Sequence, residues 1–425
     1  MRRNTLSHAH APARRIFLAV ASALVLILAL PGFAAANGRG YGNGGDHGHH
    51  SHHATHHPPG HHHPGRGPHG PGRGDDVNVM TRNLYLGADL APAIGAPSLG
   101  AFVAATGQIL REVTQNDFPT RARGLAQEIL AEKPDLVGLQ EVALWRTGPP
   151  SLAPLLGAGP GATTVRYDYL QLLLEQLNRG KAQYEVVVSQ NEFDLEAPGD
   201  ENGIAGDGPA DQGIPNAEIN GRLTMRDVIL ARRGAGVQTA NPQSGNFKTL
   251  LAVPILGQPL TIKRGWTATD ARVRGSHPFR FVNTHLEAFD PAALVPSIRS
   301  LQAGELVAPG GPAAGGALPV VLVGDLNSDD DTVEPGDQQA YLTLVKAGLV
   351  ERSTGAPLGC CLKSSLLAEG AGGSVADFDH QVDHVMTDDP RDIRLEGSDV
   401  TGLLPVNGFW DSDHAGLFSA LEFGR

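Results

Sequence analysis

The sequence predicts a single α/β domain in which stacked β-sheets carry helices on their outer faces. Short apolar runs of strand length alternate along the chain with segments that have one apolar face at helical spacing. The sequence contains no internal repeat at solenoid or propeller spacing. We therefore expect one folded domain over residues 75–425.

Residues 1–36 have the pattern of an export signal. Arginines, including the pair Arg14-Arg15, precede an apolar run at Ile16–Leu30, and Ala34–Ala36 fits a small-residue cleavage site. The run has 15 residues, fewer than the about 20 that a membrane span needs. Because Arg14-Arg15 also resembles a twin-arginine signal, that export route and ordinary secretion stay open. Either route predicts a secreted protein.

Residues 37–74 consist largely of Gly, Pro and His, with almost no apolar side chain. Such a segment cannot bury enough surface to offset the entropy of ordering, so it is predicted to be a disordered linker. It holds 11 of the 18 histidines in the chain. Histidine-rich segments bind divalent metals. The linker is therefore either a metal-capturing segment or a polar spacer.

The charge balance narrows the classes of partner. The chain has 33 Lys and Arg against 45 Asp and Glu, a formal net charge of −12. Since the first 74 residues contain seven arginines and one acid, the remainder is more acidic still. A domain of this charge has no general attraction for nucleic acid or anionic lipid. An enzyme that meets one phosphate through a bound metal is still compatible with it.

The two cysteines are neighbours, Cys360 and Cys361. Consecutive Cα atoms lie about 3.8 Å apart, which is below the usual disulfide range. An ordinary intrachain disulfide is therefore not expected, and a strained vicinal one is the alternative. We expect two thiols without a catalytic role.

The individual elements are predicted from the apolar pattern. Pro119 opens a helix with one apolar face. Residues 190–221 are rich in Gly, Pro, Asp and Glu and are predicted to be a long surface insertion, either a lid or a solvated loop. The other predicted helices are Tyr167–Asn178, Ala292–Leu306 and Gln338–Lys346. The predicted strands are Val77–Thr81, Asp135–Leu139, Tyr184–Ser189, Asp227–Ala231, Trp266–Val273, Phe279–Thr284, Pro319–Val323, Gln381–Met386 and Ala415–Leu421.

Five polar motifs follow or lie within such apolar runs. Polar groups gathered at strand ends, each able to move a proton or bind a metal, are how a hydrolytic site is assembled on a rigid sheet. The motifs are Thr81-Arg82-Asn83, Leu139-Gln140-Glu141, Asn283-Thr284-His285, Gly324-Asp325-Leu326-Asn327-Ser328 and Asp411-Ser412-Asp413-His414.

Metal-assisted hydrolysis of a phosphate ester requires hard oxygen ligands, a base for water and donors for the developing charge. Glu141, which follows a buried strand, is the main candidate metal ligand, and Asp413 is another. Asn83 could contact the metal or orient Glu141. Asp325 and Asn327 alternate along an extended segment, so both are expected to point to one side and hold water or phosphate.

The base and the donors are assigned in the same way. His414 is the candidate base, and Asp383 is the candidate group that orients its imidazole. His285 could donate to a non-bridging oxygen, although a lone histidine at a strand end is more often structural. Arg226 is a candidate phosphate ligand, and an ion pair with the neighbouring Asp227 is the alternative.

Together these residues resemble the endonuclease/exonuclease/phosphatase superfamily, which includes deoxyribonuclease I-like nucleases, abasic-site endonucleases, bacterial sphingomyelinases and inositol phosphatases. The resemblance spans residues 77–418, and its most specific parts are Gln140-Glu141, Gly324-Asp325-Leu326-Asn327 and Ser412-Asp413-His414. It implies a four-layer α/β sandwich with two packed, mostly antiparallel sheets. It also implies Mg²⁺ at Glu141, with Mn²⁺ and Ca²⁺ as alternatives.

The resemblance further implies a secreted phosphoesterase that acts on phosphodiesters, with phosphomonoesters still open. The substrate is a nucleic acid, a phospholipid headgroup or a small phosphoester. We expect a monomer without an obligate protein partner. The alternative from a different class is a non-catalytic secreted protein that binds divalent metal through residues 37–74.

Overall fold

The computed structural model describes residues 76–204, 213–289, 295–329, 338–368, 373–388 and 392–424. All of them fall within one compact unit, His63–Arg425. The predicted export signal and the predicted linker lie outside the described residues. Within the described residues, no helix has the length and apolarity that crossing a membrane requires.

Sixteen strands and six helices form within these residues. The helices are α1 (Ala91–Ile94), α2 (Leu99–Gln115), α3 (Phe118–Glu132), α4 (Tyr169–Leu177), α5 (Ile298–Val307) and α6 (Gln339–Lys346). The strands are β1 (Asp76–Asn83), β2 (Leu136–Gln140), β3 (Leu144–Gly148), β4 (Thr164–Asp168), β5 (Tyr184–Gly199), β6 (Ile219–Arg232), β7 (Val237–Asn246), β8 (Leu251–Ile255), β9 (Gln258–Ile262), β10 (Gly265–Val273), β11 (Phe279–His285), β12 (Val320–Asp325), β13 (Val350–Glu351), β14 (Asp383–Thr387), β15 (Ile393–Thr401) and β16 (Gly416–Phe423).

The strands form two large sheets and one hairpin. The first sheet has the order β15-β16-β1-β2-β6-β3-β4, with β5 also paired to β6. The second has the order β13-β14-β12-β11-β10-β7, and β8 pairs only with β9. Only two pairs are parallel among the described strands, β1 with β2 and β11 with β12. The expectation of mostly antiparallel sheets is confirmed.

Three apolar clusters separate four layers. Between the two sheets, Val79, Phe281 and Val323 are fully buried. On the outer face of the first sheet, α2, α3 and α4 contribute buried residues such as Leu125, and on that of the second, α5 and α6 contribute residues such as Leu306. Each buried side chain of this size stabilises the fold by about 1.5–3 kcal/mol. The predicted four-layer α/β sandwich is confirmed.

Side-chain caps fix where two of the predicted helices begin. Asp168 accepts a hydrogen bond from the backbone N–H of Gln171 and caps α4, so the helix starts two residues later than predicted. Ser297 accepts one from Ser300 N and caps α5, which starts at Ile298 and not at Ala292.

The prediction of a long surface insertion at 190–221 is wrong at 190–199 and 219–221, which belong to strands. Strand β5 continues to Gly199 and β6 begins at Ile219, and the two strands pair along their length. One acid in this range, Glu196, is held by three hydrogen bonds. Glu196 accepts from Gly161 N and Ala162 N, both at 2.9 Å, and from the side chain of Asn220 at 2.7 Å.

The two parallel pairs bring the polar motifs to one edge. In the first sheet, the register places Asn83 beside Gln140 at the ends of β1 and β2. In the second, it places His285 beside Asp325 at the ends of β11 and β12, and Asp383 of β14 opposite Asp325. Carboxyl ends of parallel strands meet at one edge of a sheet. Residues far apart in sequence therefore converge there.

Candidate active site

A buried acid–base cluster occupies this edge. Nδ1 of His414 lies 2.7 Å from Oδ2 of Asp383, and its Nε2 lies 3.8 Å from Oδ2 of Asp325. Nε2 of His285 lies 3.5 Å from the same Asp325 oxygen, to which the side-chain amide of Asn83 donates at 2.9 Å. All five residues are at most 6 % exposed. The structure thus brings together five residues predicted from separate motifs.

The electrostatics of the cluster favour a charged His414. Burial acts to lower the pKa of its imidazole, but the carboxylates of Asp383, Asp325 and Asp413 outweigh burial and raise that pKa well above its ordinary value. Burial also acts to raise the pKa of Asp325, yet the neighbouring histidines and the donors from Asn327 and Asn83 hold it below its ordinary value.

The pKa of His285 is shifted in the opposite direction from that of His414. Burial, followed by the charge of Arg264, lowers the pKa of His285 well below its usual range. Nη1 of Arg264 lies 2.9 Å from Nδ1 of this imidazole. His285 is therefore a neutral N–H group at physiological pH, beside a permanent cation.

Glu141 and Asp413 form the oxygen-rich side of the site. Glu141 follows β2 with φ of 53°, and its Oε2 accepts a hydrogen bond from Leu86 N at 2.7 Å. Burial, and then the charge of Asp413, raises the pKa of Glu141 to about 7. Burial also raises the pKa of Asp413. Because the charge of Asp413 disfavours the ionisation of Glu141, a hard divalent cation at this side of the site would stabilise the two carboxylates.

Asn327 lies at the site, but not for the predicted reason. Strand β12 ends at Asp325, and Asn327 has φ of 46°, so the expected extended alternation of the two residues is wrong. The backbone N–H of Asn327 donates to Asp325 Oδ1 at 2.9 Å, and its side-chain amide donates to Leu286 O at 3.1 Å. A left-handed turn therefore places Asn327 at the rim of the cluster.

The side chain of Arg226 forms its hydrogen bonds and its ion pair outside the acid–base cluster. Its guanidinium donates to the backbone oxygens of Val142 and Ala143 and forms an ion pair with Asp168 at 2.6 Å. Arg226 therefore holds the loop that follows Glu141, and the structure does not bring it into the cluster. The expected alternative partner, Asp227, is not the one it pairs with.

A buried charged group that was not predicted from the sequence borders the cluster. Arg264 is 3 % exposed, and the buried carboxylates of Glu192 and Asp227 accept no hydrogen bond from any described residue. Burial raises the pKa of both carboxyls well above the ordinary value, and Arg264 opposes this rise. Its neighbours Lys263 and Gly265 form no polar motif that could have identified Arg264.

Two fully buried arginines hold the loops of the site by donating hydrogen bonds to the backbone oxygens of those loops. Arg82 donates to the carbonyl oxygen of His414 and pairs with Glu128 at 2.9 Å. Arg121 donates to Leu84 O and Asp411 O, both at 2.9 Å. The position of the Asp411–His414 segment is therefore set by long cationic side chains from β1 and α3.

The expectation of two separate thiols is wrong. Cys360 and Cys361 form a vicinal disulfide, the alternative that the sequence left open. Their sulfur atoms lie 3.9 Å and 3.8 Å from Nε2 of His414. No motif in the sequence indicated this proximity.

Comparison with known proteins agrees with this arrangement. The Endonuclease/Exonuclease/phosphatase family matches residues 109–414, a range that includes every motif except Thr81-Arg82-Asn83. The chain belongs to this family, which supports a phosphoesterase. No curated protein sequence matches the chain.

Several solved structures are similar to this one at low sequence identity. A mannosyl-6-phosphatase from Bacteroides thetaiotaomicron is 15 % identical, with 82 % of this chain and 100 % of that chain covered and a TM-score of 0.45. A family protein from Leptotrichia buccalis is 13 % identical over 82 % and 100 %, with a TM-score of 0.47. The human Nocturnin catalytic domain is 16 % identical over 83 % and 94 %, with a TM-score of 0.43.

Proposed function

We propose that the protein is a metal-dependent hydrolase of phosphate esters, with phosphodiesters as the first candidates. The observation that carries this proposal is the His414 imidazole, held at 2.7 Å by Asp383 and facing Asp325 beside the Glu141–Asp413 carboxylates. A base, a group that orients it and an oxygen-rich cation site are the parts that this hydrolysis requires.

The proposal gives each side chain a role. Nδ1–H of His414 donates to Asp383, which leaves Nε2 to take a proton from a water molecule. As that water attacks phosphorus, a P–O bond forms and the bond to the leaving oxygen breaks. Asp325, fixed by Asn83, faces the same Nε2 and orients the attacking water. The neutral N–H of His285 and the guanidinium of Arg264 stabilise the negative charge on the non-bridging oxygens.

Glu141 and Asp413 are the residues proposed to hold the metal. A hard divalent cation of the Mg²⁺ class, with Mn²⁺ or Ca²⁺ as alternatives, would supply positive charge to the phosphoryl oxygens and offset the carboxylates that raise the pKa of His414. The side chain of Asn83 is engaged with Asp325 and with Tyr85 N, at 2.9 Å each. We therefore assign Asn83 to positioning.

The position of Arg264 changes the expected phosphate contact. Arg264 faces His285 inside the site, whereas Arg226 is committed to the Glu141 loop. We propose Arg264 as the cation that stabilises the phosphoryl group. We also propose that residues 1–36 direct export, since their pattern is that of a signal segment.

The test is a substrate panel with the purified protein, in Mg²⁺ and in chelator. The panel contains plasmid DNA, RNA, sphingomyelin, a synthetic phosphodiester and a phosphomonoester. We expect cleavage of at least one substrate that stops in chelator and in a His414→Ala variant. Cleavage that persists in chelator, or that His414→Ala retains, would contradict the proposed site. The non-catalytic alternative predicts no turnover on any substrate.

A further inference from the structure

The disulfide pair Cys360–Cys361 lies against the proposed catalytic base, and no part of the hydrolysis uses it. One sulfur is 3.9 Å and the other 3.8 Å from Nε2 of His414. Cys360 is 2 % exposed, whereas Cys361 is exposed to solvent. A reagent can therefore reach the pair from solvent, next to the atom that would accept the proton of water.

Backbone hydrogen bonds fix the pair opposite His414. On one side of the pair, Ala415 N donates to Gly359 O at 2.7 Å, and on the other, Leu362 N donates to Asp413 O at 2.9 Å. Backbone hydrogen bonds thus join the two segments on both sides of the cysteine pair and His414. The short distances between sulfur and nitrogen are therefore a property of the fold rather than of two flexible side chains.

The donor set is suited to a thiophilic cation. Zn²⁺ binds thiolate at about 2.3 Å and imidazole at about 2.0–2.1 Å, so sulfur and nitrogen ligands of one tetrahedral ion lie about 3.6 Å apart. The two sulfur atoms and Nε2 of His414 lie within 4.8 Å of one another. Nδ1 of the same imidazole is bonded to Asp383 at 2.7 Å. A carboxylate on the far nitrogen is the usual arrangement for a metal-binding histidine.

We propose that reduced Cys360 and Cys361, together with His414, form an inhibitory binding site for a thiophilic divalent cation such as Zn²⁺ or Cd²⁺. The cation takes the Nε2 lone pair, so the base can no longer accept a proton from water. Mg²⁺ does not compete, because hard cations prefer oxygen ligands. The effect on turnover depends on the function proposed above, whereas binding of the cation does not.

The site forms in two balanced steps. A phosphine reductant gives two electrons to the S–S bond and becomes a phosphine oxide with the oxygen of one water molecule, whose two protons go to the sulfur atoms. The cation then binds both sulfurs and Nε2, and three protons go to solvent, two from the thiols and one from Nε2 of the charged imidazole. While the disulfide is intact, neither sulfur is a thiolate ligand, so the oxidised protein is expected not to bind through these atoms.

The test is a titration of the purified protein with Cd²⁺, followed by the ultraviolet charge-transfer absorption of cadmium thiolates. We expect the band only after reduction, with one cation bound per chain through thiolate. A Cys360→Ser/Cys361→Ser variant should lose the band. That variant retains the histidines of residues 37–74, so it also measures any cadmium that they bind.

Two histidine variants test the third ligand. His414→Ala should weaken the cadmium affinity of the reduced protein at least about tenfold, because even an indirect partner of a metal ligand contributes 10- to 100-fold. His277→Ala, which changes an exposed histidine elsewhere, should keep the wild-type affinity. No band in a protein whose two thiols are confirmed as reduced, or equal affinity in His414→Ala and wild type, would overturn the proposal.

Turnover gives the second measurement. In the reduced wild type, one equivalent of Cd²⁺ in excess Mg²⁺ should abolish turnover in proportion to the absorption band, and the oxidised wild type should keep its activity. Full activity in the reduced protein at saturated absorption would refute inhibition through His414. If no substrate is turned over at all, the proposed function fails, while the titration still decides whether the cation site exists.

Discussion

Arg121 offers a quantitative test of how the site is held together. Its guanidinium is fully buried and donates four hydrogen bonds to backbone oxygens: 2.8 Å to Asn116, 2.9 Å to Leu84, 2.9 Å to Asp411 and 3.2 Å to Tyr85. The side chain therefore links the start of α3 to the loop after β1 and to the segment that carries His414.

Replacing Arg121 with Met preserves much of its volume but leaves those four carbonyl groups without their donor. Hydrogen bonds to charged groups contribute about 1.5–3 kcal/mol each, and the losses do not add. We expect Arg121→Met to lower the free energy of unfolding by about 3–5 kcal/mol, because each buried carbonyl group left unsatisfied costs about 1–3 kcal/mol. Turnover should fall as well, since Asp411 belongs to the segment that carries His414, the proposed base.

The assay is equilibrium unfolding in urea, followed by circular dichroism. Arg123→Met is the matched control, because Arg123 lies on the same helix and is exposed. It should change the free energy of unfolding by less than about 0.5 kcal/mol. A loss below about 1 kcal/mol for Arg121→Met would refute the idea that this guanidinium organises the two loops.

Two further predictions concern ionisation and the metal. Glu351, 2.7 Å from His384, outweighs burial and raises the pKa of His384 to about 9. The stability contributed by the charged His384–Glu351 pair is complete below the unfolded-state pKa of about 6.5 and is lost as pH rises through about 9, so the free energy of unfolding should fall by roughly 2–4 kcal/mol over that window. In Glu351→Gln, the free energy of unfolding in urea should be nearly independent of pH over the same window. A pH dependence equal to that of the wild type would contradict the assignment. Glu141→Gln should raise the Mg²⁺ concentration needed for half-maximal turnover, and an unchanged Mg²⁺ titration would exclude Glu141 as a ligand.

The elements around the site were predictable because each motif carries its own structural signal. The apolar run before Asp325 predicts both a buried strand and the place where it ends, and the same holds for Glu141 and His285. Local patterns of this kind suffice to place polar groups at strand ends. The resemblance to a known family then related these groups to Asp383 and His414.

What the sequence did not reveal depends on partners distant in the chain. Glu192 belongs to a polar, glycine-rich stretch, yet β6 and Arg264 enclose it, so composition alone predicted a surface loop. Helix α2 was not predicted, and Gly107 lowers the helix propensity at its middle. Gly107 is required there because a Cβ would overlap the backbone of Asp200 at the end of β5. Close packing between distant elements overrides local preference.

His414 and Asp383 are proposed to act as one catalytic unit. The most direct measurement is a double-mutant cycle in turnover, on whichever substrate the panel identifies, with His414→Ala, Asp383→Asn and the double variant. We expect each single variant to lose at least about 100-fold in turnover, the low end for a general base. The double variant should be no slower than His414→Ala, because Asp383 acts only through the imidazole. Losses of a few-fold, or losses that multiply in the double variant, would contradict the account.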